Sequence, residues 1–482
     1  MWGKIFNNKK RIGFYLGCLI FGILYFTPSP QDLSQTGWYT ASLVSIMAIW
    51  WIFESVPVAV TALLPIFLLP ILDVTTISQA TQPYANPLIF LFMGGFFIAI
   101  AMEKSNLHRR IALTIINYMG INPKSIILGF VISSAFLSMW ISNTATALMM
   151  LPIALSILSI TEKIESSQEK LNFEIALMLC IAYACNIGGM ATLVGTPPNA
   201  FLAGFMSENY NIEIGFAQWL IIGVPIAIVG LILMYIVLTK VIYPIGSNQL
   251  PGSKAVIEKY FNELGPISIV EKKVTLIFVI VAILWIIRPY INFLIPKLSD
   301  AGIAIGGAIS LFVIPESIKN KRPLLSWKDA KKLPWGILIL FGGGLSLASA
   351  ISASGLANWI GESLNIIKDW PILSVICLSV TIIILLTEIT SNTATISAFL
   401  PILASVAISF GESPILLAIP ASLGASCAFM LPVATPPNAI IFGSGKVSIY
   451  EMSKAGIFLN IIFIFVITFI SYKLIDYIFK IV

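Results

Sequence analysis

Two short polar stretches, each present twice, carry the groups in this sequence that can do chemistry. Ser142-Asn143-Thr144-Ala145-Thr146 recurs as Ser391-Asn392-Thr393-Ala394-Thr395. Each copy follows a hydroxyl four positions earlier (Ser138, Thr387) and precedes a proline (Pro152, Pro401). Thr196-Pro197-Pro198-Asn199-Ala200 recurs as Thr435-Pro436-Pro437-Asn438-Ala439. All four copies lie in apolar surroundings, where a polar group without a partner costs free energy. Alone, a Ser/Thr cluster in a membrane helix pairs with a neighbouring helix, and Pro-Pro is a kink. Two copies of both, in register, point to a binding site built from hydroxyls and amides.

The groups that would make a catalytic or metal centre are missing around these stretches. His108 is the only histidine, and it sits in a basic loop beside Arg109 and Arg110. Cys18, Cys180, Cys185, Cys377 and Cys427 stand in apolar runs without metal-ligand spacing and read as small core residues. No Lys or Arg neighbours either motif in sequence, so an anion bound there must be held by neutral donors and helix ends. Glu388 is the one acid inside a motif segment; its counterpart in the first copy is Met139. It reads as the structural partner of a hydroxyl in preference to a proton carrier.

The elements that position these groups are membrane helices. Of 482 residues, 58% are hydrophobic and 10% charged, with a mean hydropathy of +0.96. That is too few charges to coat a soluble globule, and the apolar runs are of helical length, not barrel-strand length. The expected fold is all-α and polytopic, with about 11 transmembrane helices, near 12–27, 38–54, 57–72, 87–102, 173–206, 216–243, 274–295, 301–315, 335–352, 413–444 and 455–479. Segments 123–160 and 371–410 carry the Ser-Asn-Thr motif at a polar midpoint and are expected to be re-entrant hairpins; two short spans each would fit the charges equally. The basic start before Ile12 lacks a small-residue cleavage site, which predicts a retained first helix.

With the N-terminus inside, all but five of the 28 basic residues (Arg288, Lys297, Lys368, Lys473 and Lys480) fall on the cytoplasmic side. This puts the C-terminus outside and accounts for the net charge of +6 through the membrane, with no nucleic-acid partner. The halves repeat: Phe92-Met93-Gly94-Gly95 matches Phe341-Gly342-Gly343-Gly344 at the 249-residue offset of the Ser-Asn-Thr motifs, and the Thr-Pro-Pro-Asn motifs are 239 apart. The charged loop from Thr161 to Asn172 accounts for the difference. The organisation is then residues 1–37 as cytoplasmic segment and first helix, 38–245 as the first repeat (hairpin 123–160, broken helix 173–206), 246–273 as a cytoplasmic linker, and 274–482 as the second repeat (hairpin 371–410, broken helix 413–444). The flanks of the two hairpins fall on opposite sides, so the repeats are inverted, an arrangement of secondary transporters.

Thr-Pro-Pro-Asn is a helix-start signal, with threonine as cap and proline at the first helical position. Inside a long apolar span it marks a broken helix. The N-terminal half-helix end presents N–H groups to an anion, and the C-terminal end presents carbonyls to a cation. Ser138 and Thr387 lie four residues before Ser142 and Ser391, and residues four apart share a helix face.

Taken together, the paired Ser-Asn-Thr tips and Thr-Pro-Pro-Asn breaks resemble the divalent anion/sodium symporter family, the INDY-type di- and tricarboxylate carriers, over residues 38–470. The resemblance implies a homodimer in the plasma membrane, lipid-embedded, with a scaffold and a transport domain in each protomer and an elevator motion. It implies that Asn143, Thr144, Asn392 and Thr393 contact the carboxylates of a small dianion, with Thr196, Thr435 and Pro436 nearby. It places one co-transported sodium at Ser138, Ser142, Asn143 and Gly195 and another at Thr387, Ser391, Asn392 and Ala434, with no organic cofactor and no enzymatic activity. The expected function is sodium-coupled symport of C4 dicarboxylates (succinate, malate, fumarate). The family's alternatives are a dicarboxylate exchanger or a citrate or sulfate symporter. An ion channel would need a continuous pore lining or a charged ring, against the broken-helix repeats.

The charge bias predicts that 162–172 and 246–273 face the cytoplasm while 354–370 and 408–412 face outward. In a cysteine-free background on intact cells, an impermeant thiol reagent should label a cysteine at position 365 and spare one at 259. The reverse pattern would overturn the orientation.

Overall fold

The computed structural model describes residues 2–161, 168–246, 253–317, 321–363 and 370–479. The predicted positions of Lys163, Lys319, Lys368 and Lys480 lie outside them. The chain forms helices α1 (Trp2–Phe26), α2 (Gln35–Phe53), α3 (Val58–Thr61), α4 (Leu64–Ile71), α5 (Ile77–Thr81), α6 (Pro87–Lys104), α7 (Leu107–Met119), α8 (Pro123–Ser138), α9 (Asn143–Thr161), α10 (Gln168–Met190) and α11 (Pro197–Tyr210). It continues with α12 (Phe216–Ile236), α13 (Ser253–Glu263), α14 (Ile269–Ile291), α15 (Asp300–Val313), α16 (Trp335–Ala353), α17 (Leu356–Ser363), α18 (Ile372–Thr387), α19 (Asn392–Ser409), α20 (Ile415–Ala425), α21 (Pro436–Gly443) and α22 (Ile449–Phe479). Among the described residues the only β pairing is an isolated bridge between Pro315 and Pro323.

Among the described residues, eight helices are long and apolar enough to cross a bilayer. Their outward faces are apolar too. Ile457, Ile461 and Phe465 stand four apart on one exposed face of α22, and Leu276, Ile280 and Ile283, four and three apart, share an exposed face of α14. Such rows are costly in water, at roughly 25 cal/mol per Å², and are solvated by acyl chains. The protein is therefore a multi-pass membrane protein. At its centre stands α10, buried without interruption from Asn172 to Met190 and surrounded by α8, α9, α12 and α21. Apolar on most of its surface over that stretch, it has no face to give to lipid. A second, smaller core gathers α2, α4 and α16 around Ala394 and Ala398 of α19.

Several expectations need correction. The basic stretch around His108 is helix α7, whose Leu107, Ala112, Leu113 and Ile116 are buried at helical spacing. Asn106, in the left-handed conformation, turns the chain into it. Burial holds the His108 imidazole below its ordinary pKa, opposed by its hydrogen bond to the Met102 carbonyl and aided by the charge of Arg109. The segment 57–72 is not one span: α3 and α4 break at Ala62 and Leu63, before Pro65. Residues 168–172, expected in the charged loop, already belong to α10. Cys18 is exposed on α1, whereas Cys180, Cys185 and Cys427 are buried.

The segment between the halves contains α13, which packs on α7 and α9. The Tyr260 and Ser156 hydroxyls are 2.6 Å apart. Arg109 lies over the Tyr260 ring; Arg110 Nε donates to Glu271 Oε1 at 2.7 Å, while its Nη1 and Nη2 donate to the Gly265 and Leu264 carbonyls.

Close helix packing depends on glycines. A methyl group at Gly188 would fall 2.5 Å from the Ala135 Cα, so α10 and α8 meet backbone to backbone there. Gly188→Val should cost about 1–3 kcal/mol or more by overpacking, read as a lower thermal midpoint of the purified protein. Gly306→Ala in α15, where nothing lies within 4 Å, should leave that midpoint unchanged or slightly raised.

Candidate functional site

Four helix N-termini converge on one cavity. α9 begins at Asn143 and α19 at Asn392, each after a four-residue tip (Met139–Ser142 and Glu388–Ser391). α11 begins at Pro197 and α21 at Pro436, each after an unwound strand (residues 191–196 and 426–435). The cavity, of about 1030 Å³, is lined by Asn143, Thr144, Asn392, Thr393, Thr196, Thr435 and Pro436. Every residue expected around a substrate thus stands on its wall. So do Ser142, Gly195, Ser391 and Ala434, while Ser138 and Thr387 are fully buried behind it. At about half a positive charge per N-terminus, four of them present roughly two charges to the space between.

The C-terminal ends of the paired helices bring carbonyls to the flanks. In the first half, α8 ends at Ser138 and α10 at Met190. A Cβ built on Gly189 would lie 2.8 Å from Asn143 Oδ1 and 3.1 Å from the Gly195 carbonyl; one on Gly195 would meet the carbonyls of Ser138, at 2.9 Å, and Gly189. Among the described residues Asn143 Oδ1 is buried without a hydrogen-bond partner, and the buried Ser138 hydroxyl has none but the Cys185 thiol. This packing of oxygens, possible only without side chains at both glycines, suits a cation. In the second half the Thr387 hydroxyl contacts Asn392 Oδ1 at 2.7 Å and the Ala425 carbonyl at 2.9 Å, again beside two helix C-termini.

The expected shared helix face is not there. Ser138 ends α8 and Ser142 precedes α9, as Thr387 ends α18 and Ser391 precedes α19. Met139–Ser142 and Glu388–Ser391 are non-helical, so each hydroxyl reaches its site from a helix end. The two threonine caps also differ. The Thr435 hydroxyl accepts from the Asn438 N–H and from Asn186 Nδ2. Thr196 has the extended backbone of a cap but makes no cap hydrogen bond.

Residues that sequence reasoning missed complete the site. The Asn199 amide donates to the carbonyls of Met190 and Thr192, at 3.2 and 2.9 Å. Asn438 donates to those of Ala428 and Leu431, at 3.0 and 3.1 Å. The last residue of Thr-Pro-Pro-Asn thus turns back to satisfy the unwound strand before it. Asn186, buried on the cavity wall, donates to Thr435 across the two halves; as a lone amide in the apolar stretch Ile181–Gly189, it carried a readable signal. Lys9, Lys10 and Lys332, with Glu54 and Glu103, line the same cavity. The motifs lack basic neighbours in sequence, but the cavity does not lack them in space, because α1 and residue 332 arrive from remote parts of the chain.

A multi-pass helical protein with broken helices around an anion-suited cavity, flanked by cation-suited oxygen clusters, belongs to the class of membrane carriers. The chain is a member of the sodium:sulfate symporter family, whose transmembrane-region profile matches residues 8–478. It is 43% identical over 480 residues to the sodium-dependent dicarboxylate transporter SdcS of Staphylococcus saprophyticus, covering 98% of this chain and 92% of that one. It is 44% identical over 480 residues to SdcS of Staphylococcus aureus strain USA300, covering 97% and 92%. Among solved structures, the Alcanivorax borkumensis YdaH transporter matches with a TM-score of 0.59 at 12% identity, over 98% of both chains. MtrF of Neisseria gonorrhoeae matches at 0.54 and 14%, over 96% of this chain and 94% of its own. At those identities the likeness is one of fold.

Because Asn199 and Asn438 each satisfy two strand carbonyls, Asn199→Ala and Asn438→Ala should each lower stability by about 1–3 kcal/mol, measured as the thermal midpoint in detergent. Asn438→Asp, which sets a carboxylate against those carbonyls, should be worse than the alanine variant.

Proposed function

We propose that this protein is a sodium-coupled symporter of C4 dicarboxylates of the succinate, malate and fumarate type. The observation that carries the reading is the convergence of four helix N-termini and uncharged Asn and Thr side chains on one cavity. A dianion placed there meets about two positive charges of helix dipole. Asn143, Thr144, Asn392 and Thr393 hold its carboxylates, with Thr196, Thr435 and Pro436 completing the pocket. Sodium occupies the flanking clusters: Ser138, Ser142, Asn143 and Gly195 on one side, Thr387, Ser391, Asn392 and Ala434 on the other. Asn143 and Asn392 belong to both sets, so each ion orders an amide that the substrate uses, and such coupling is reciprocal. The full-length likeness to sodium-dependent dicarboxylate transporters favours a dicarboxylate over sulfate.

The transport cycle follows from the same reading. α8 and α18, at 16 residues each, are short of the roughly 20 needed to span a bilayer, which supports re-entrant hairpins in two inverted repeats. The hairpins and broken helices form the moving part of an elevator, the remaining helices form the scaffold, and the protein works as a homodimer in the plasma membrane. With the N-terminus cytoplasmic and the C-terminus external, the cavity mouth beside Lys9, Lys10 and Lys332 faces the cytoplasm, and the conformation is inward-open.

In proteoliposomes, labelled succinate should accumulate under an inward sodium gradient and not when choline replaces sodium. Ser138→Ala or Thr387→Ala should raise the sodium concentration for half-maximal uptake by about tenfold, the equivalent of one lost oxygen ligand. Saturating sodium should restore most of the succinate affinity. Equal uptake in choline, with counterflow intact, would replace the symporter by an exchanger.

A further inference from the structure

Glu388 sits at the tip between α18 and α19, directly after Thr387, and is 4% exposed. Its Oε1 accepts from the backbone N–H groups of Phe429 (2.8 Å) and Met430 (3.0 Å) and from Asn460 Nδ2 (2.8 Å). Its Oε2 accepts from the N–H groups of Met430 (3.0 Å) and Leu431 (3.2 Å). Among the described residues no Lys, Arg or His forms an ion pair with it. Each of these partners is a donor. An ionised carboxylate, which only accepts, satisfies all of them; a protonated one would turn its O–H against an N–H. Successive N–H groups around an anion form the concavity that elsewhere binds phosphate. Here the anion is the protein's own, and what it holds is the strand.

That strand is the unwound stretch between α20 and α21. Its other edge is held as well. The Phe429 carbonyl accepts from the Tyr183 hydroxyl at 2.7 Å, that of Met430 from Ser453 at 3.0 Å, and those of Ala428 and Leu431 from Asn438. The first half solves the same problem differently. Its tip residue at the Glu388 position is Met139, whose carbonyl accepts from the Thr192 hydroxyl at 2.6 Å. There the strand reaches to the tip with a neutral group; in the second half the tip reaches to the strand with a charge.

We infer that Glu388 is a positioning residue for the second cation cluster. By fixing residues 429–431 against the hairpin tip, it sets where the Ala425 carbonyl and Ala434 stand relative to Thr387 and Asn392. Asn460 of α22 holds the carboxylate in place. The two cation clusters are therefore built unequally, and only the second depends on a buried acid and on the last helix. This rests on the assignment of that cluster to sodium.

The test is a sodium titration of the purified protein, choline keeping the ionic strength constant, with the thermal midpoint as readout and succinate uptake in parallel. Thr387→Ala reports on the sodium assignment, and Glu388→Gln and Asn460→Ala on positioning. Glu388→Gln should raise the half-maximal sodium concentration about tenfold or more, and Asn460→Ala, which keeps the charge, about threefold. In Asn460→Ala the KM for succinate at saturating sodium should stay near wild type. If Glu388→Gln does not reach the membrane, Asn460→Ala decides alone: a shift supports the inference and a wild-type titration overturns it. Lower yield or stability with an unshifted sodium midpoint would make Glu388 merely structural and also overturn it. If Thr387→Ala itself leaves the midpoint unmoved, the sodium assignment fails first and the inference falls with it.

Discussion

A helix that stops inside a membrane leaves up to four N–H or four carbonyl groups without partners at that end, and no water is at hand to take them. The centre of this protein is arranged around that constraint. Eight helix ends meet there, four of each polarity, and they are sorted: the N-termini of α9, α11, α19 and α21 face the cavity, while the C-termini of α8, α10, α18 and α20 lie at its flanks. Sorting them turns a cost into two kinds of site, one for negative charge and one for positive. The unwound strands between the ends are satisfied by the chain's own amides, Asn199 in one half and Asn438 in the other.

The halves obey the same rule with different residues. Thr435 caps its helix and is tied across to Asn186, whereas Thr196 does neither. Thr387 binds the Ala425 carbonyl, whereas among the described residues the Ser138 hydroxyl bonds no carbonyl. The two sets of recurring motifs thus stand in unequal surroundings, and the inequality sits mainly at the tips before α9 and α19.

The helices, the membrane environment and the polar positions could be read from the sequence because each has a local signature: runs of about 20 apolar residues, Pro-Pro inside a span, hydroxyls where none should be. What could not be read depends on distant residues. That α7 is a helix turns on an apolar face packed against α8 and α13, not on the basic cluster at its start. The hairpin tips have a helix-like spacing of four, and only the fold shows that the helices stop on either side of it. The lysines on the cavity wall come from α1 and from residue 332, and no local pattern links them to motifs more than 130 residues from Lys10 and nearly 60 from Lys332.

The Glu388 bonds also bear on how the chain assembles. The N–H groups that receive its carboxylate lie 41 to 43 residues further along the chain, and the Asn460 amide lies 72 further. A chain made from its N-terminus completes α8, α9 and the strand at residues 191–196 while the tip before α19 still lacks every partner of its acid. An unpaired carboxylate resists entry into hydrocarbon, and four of the five hydrogen bonds to Glu388 come from the strand at residues 429–431, so the tip before α19 gains most of its partners once that strand has been made. The Asn460 amide of α22 supplies the remaining bond, so a single carboxylate ties together a tip, a strand and a helix that lie up to 72 residues apart in the chain.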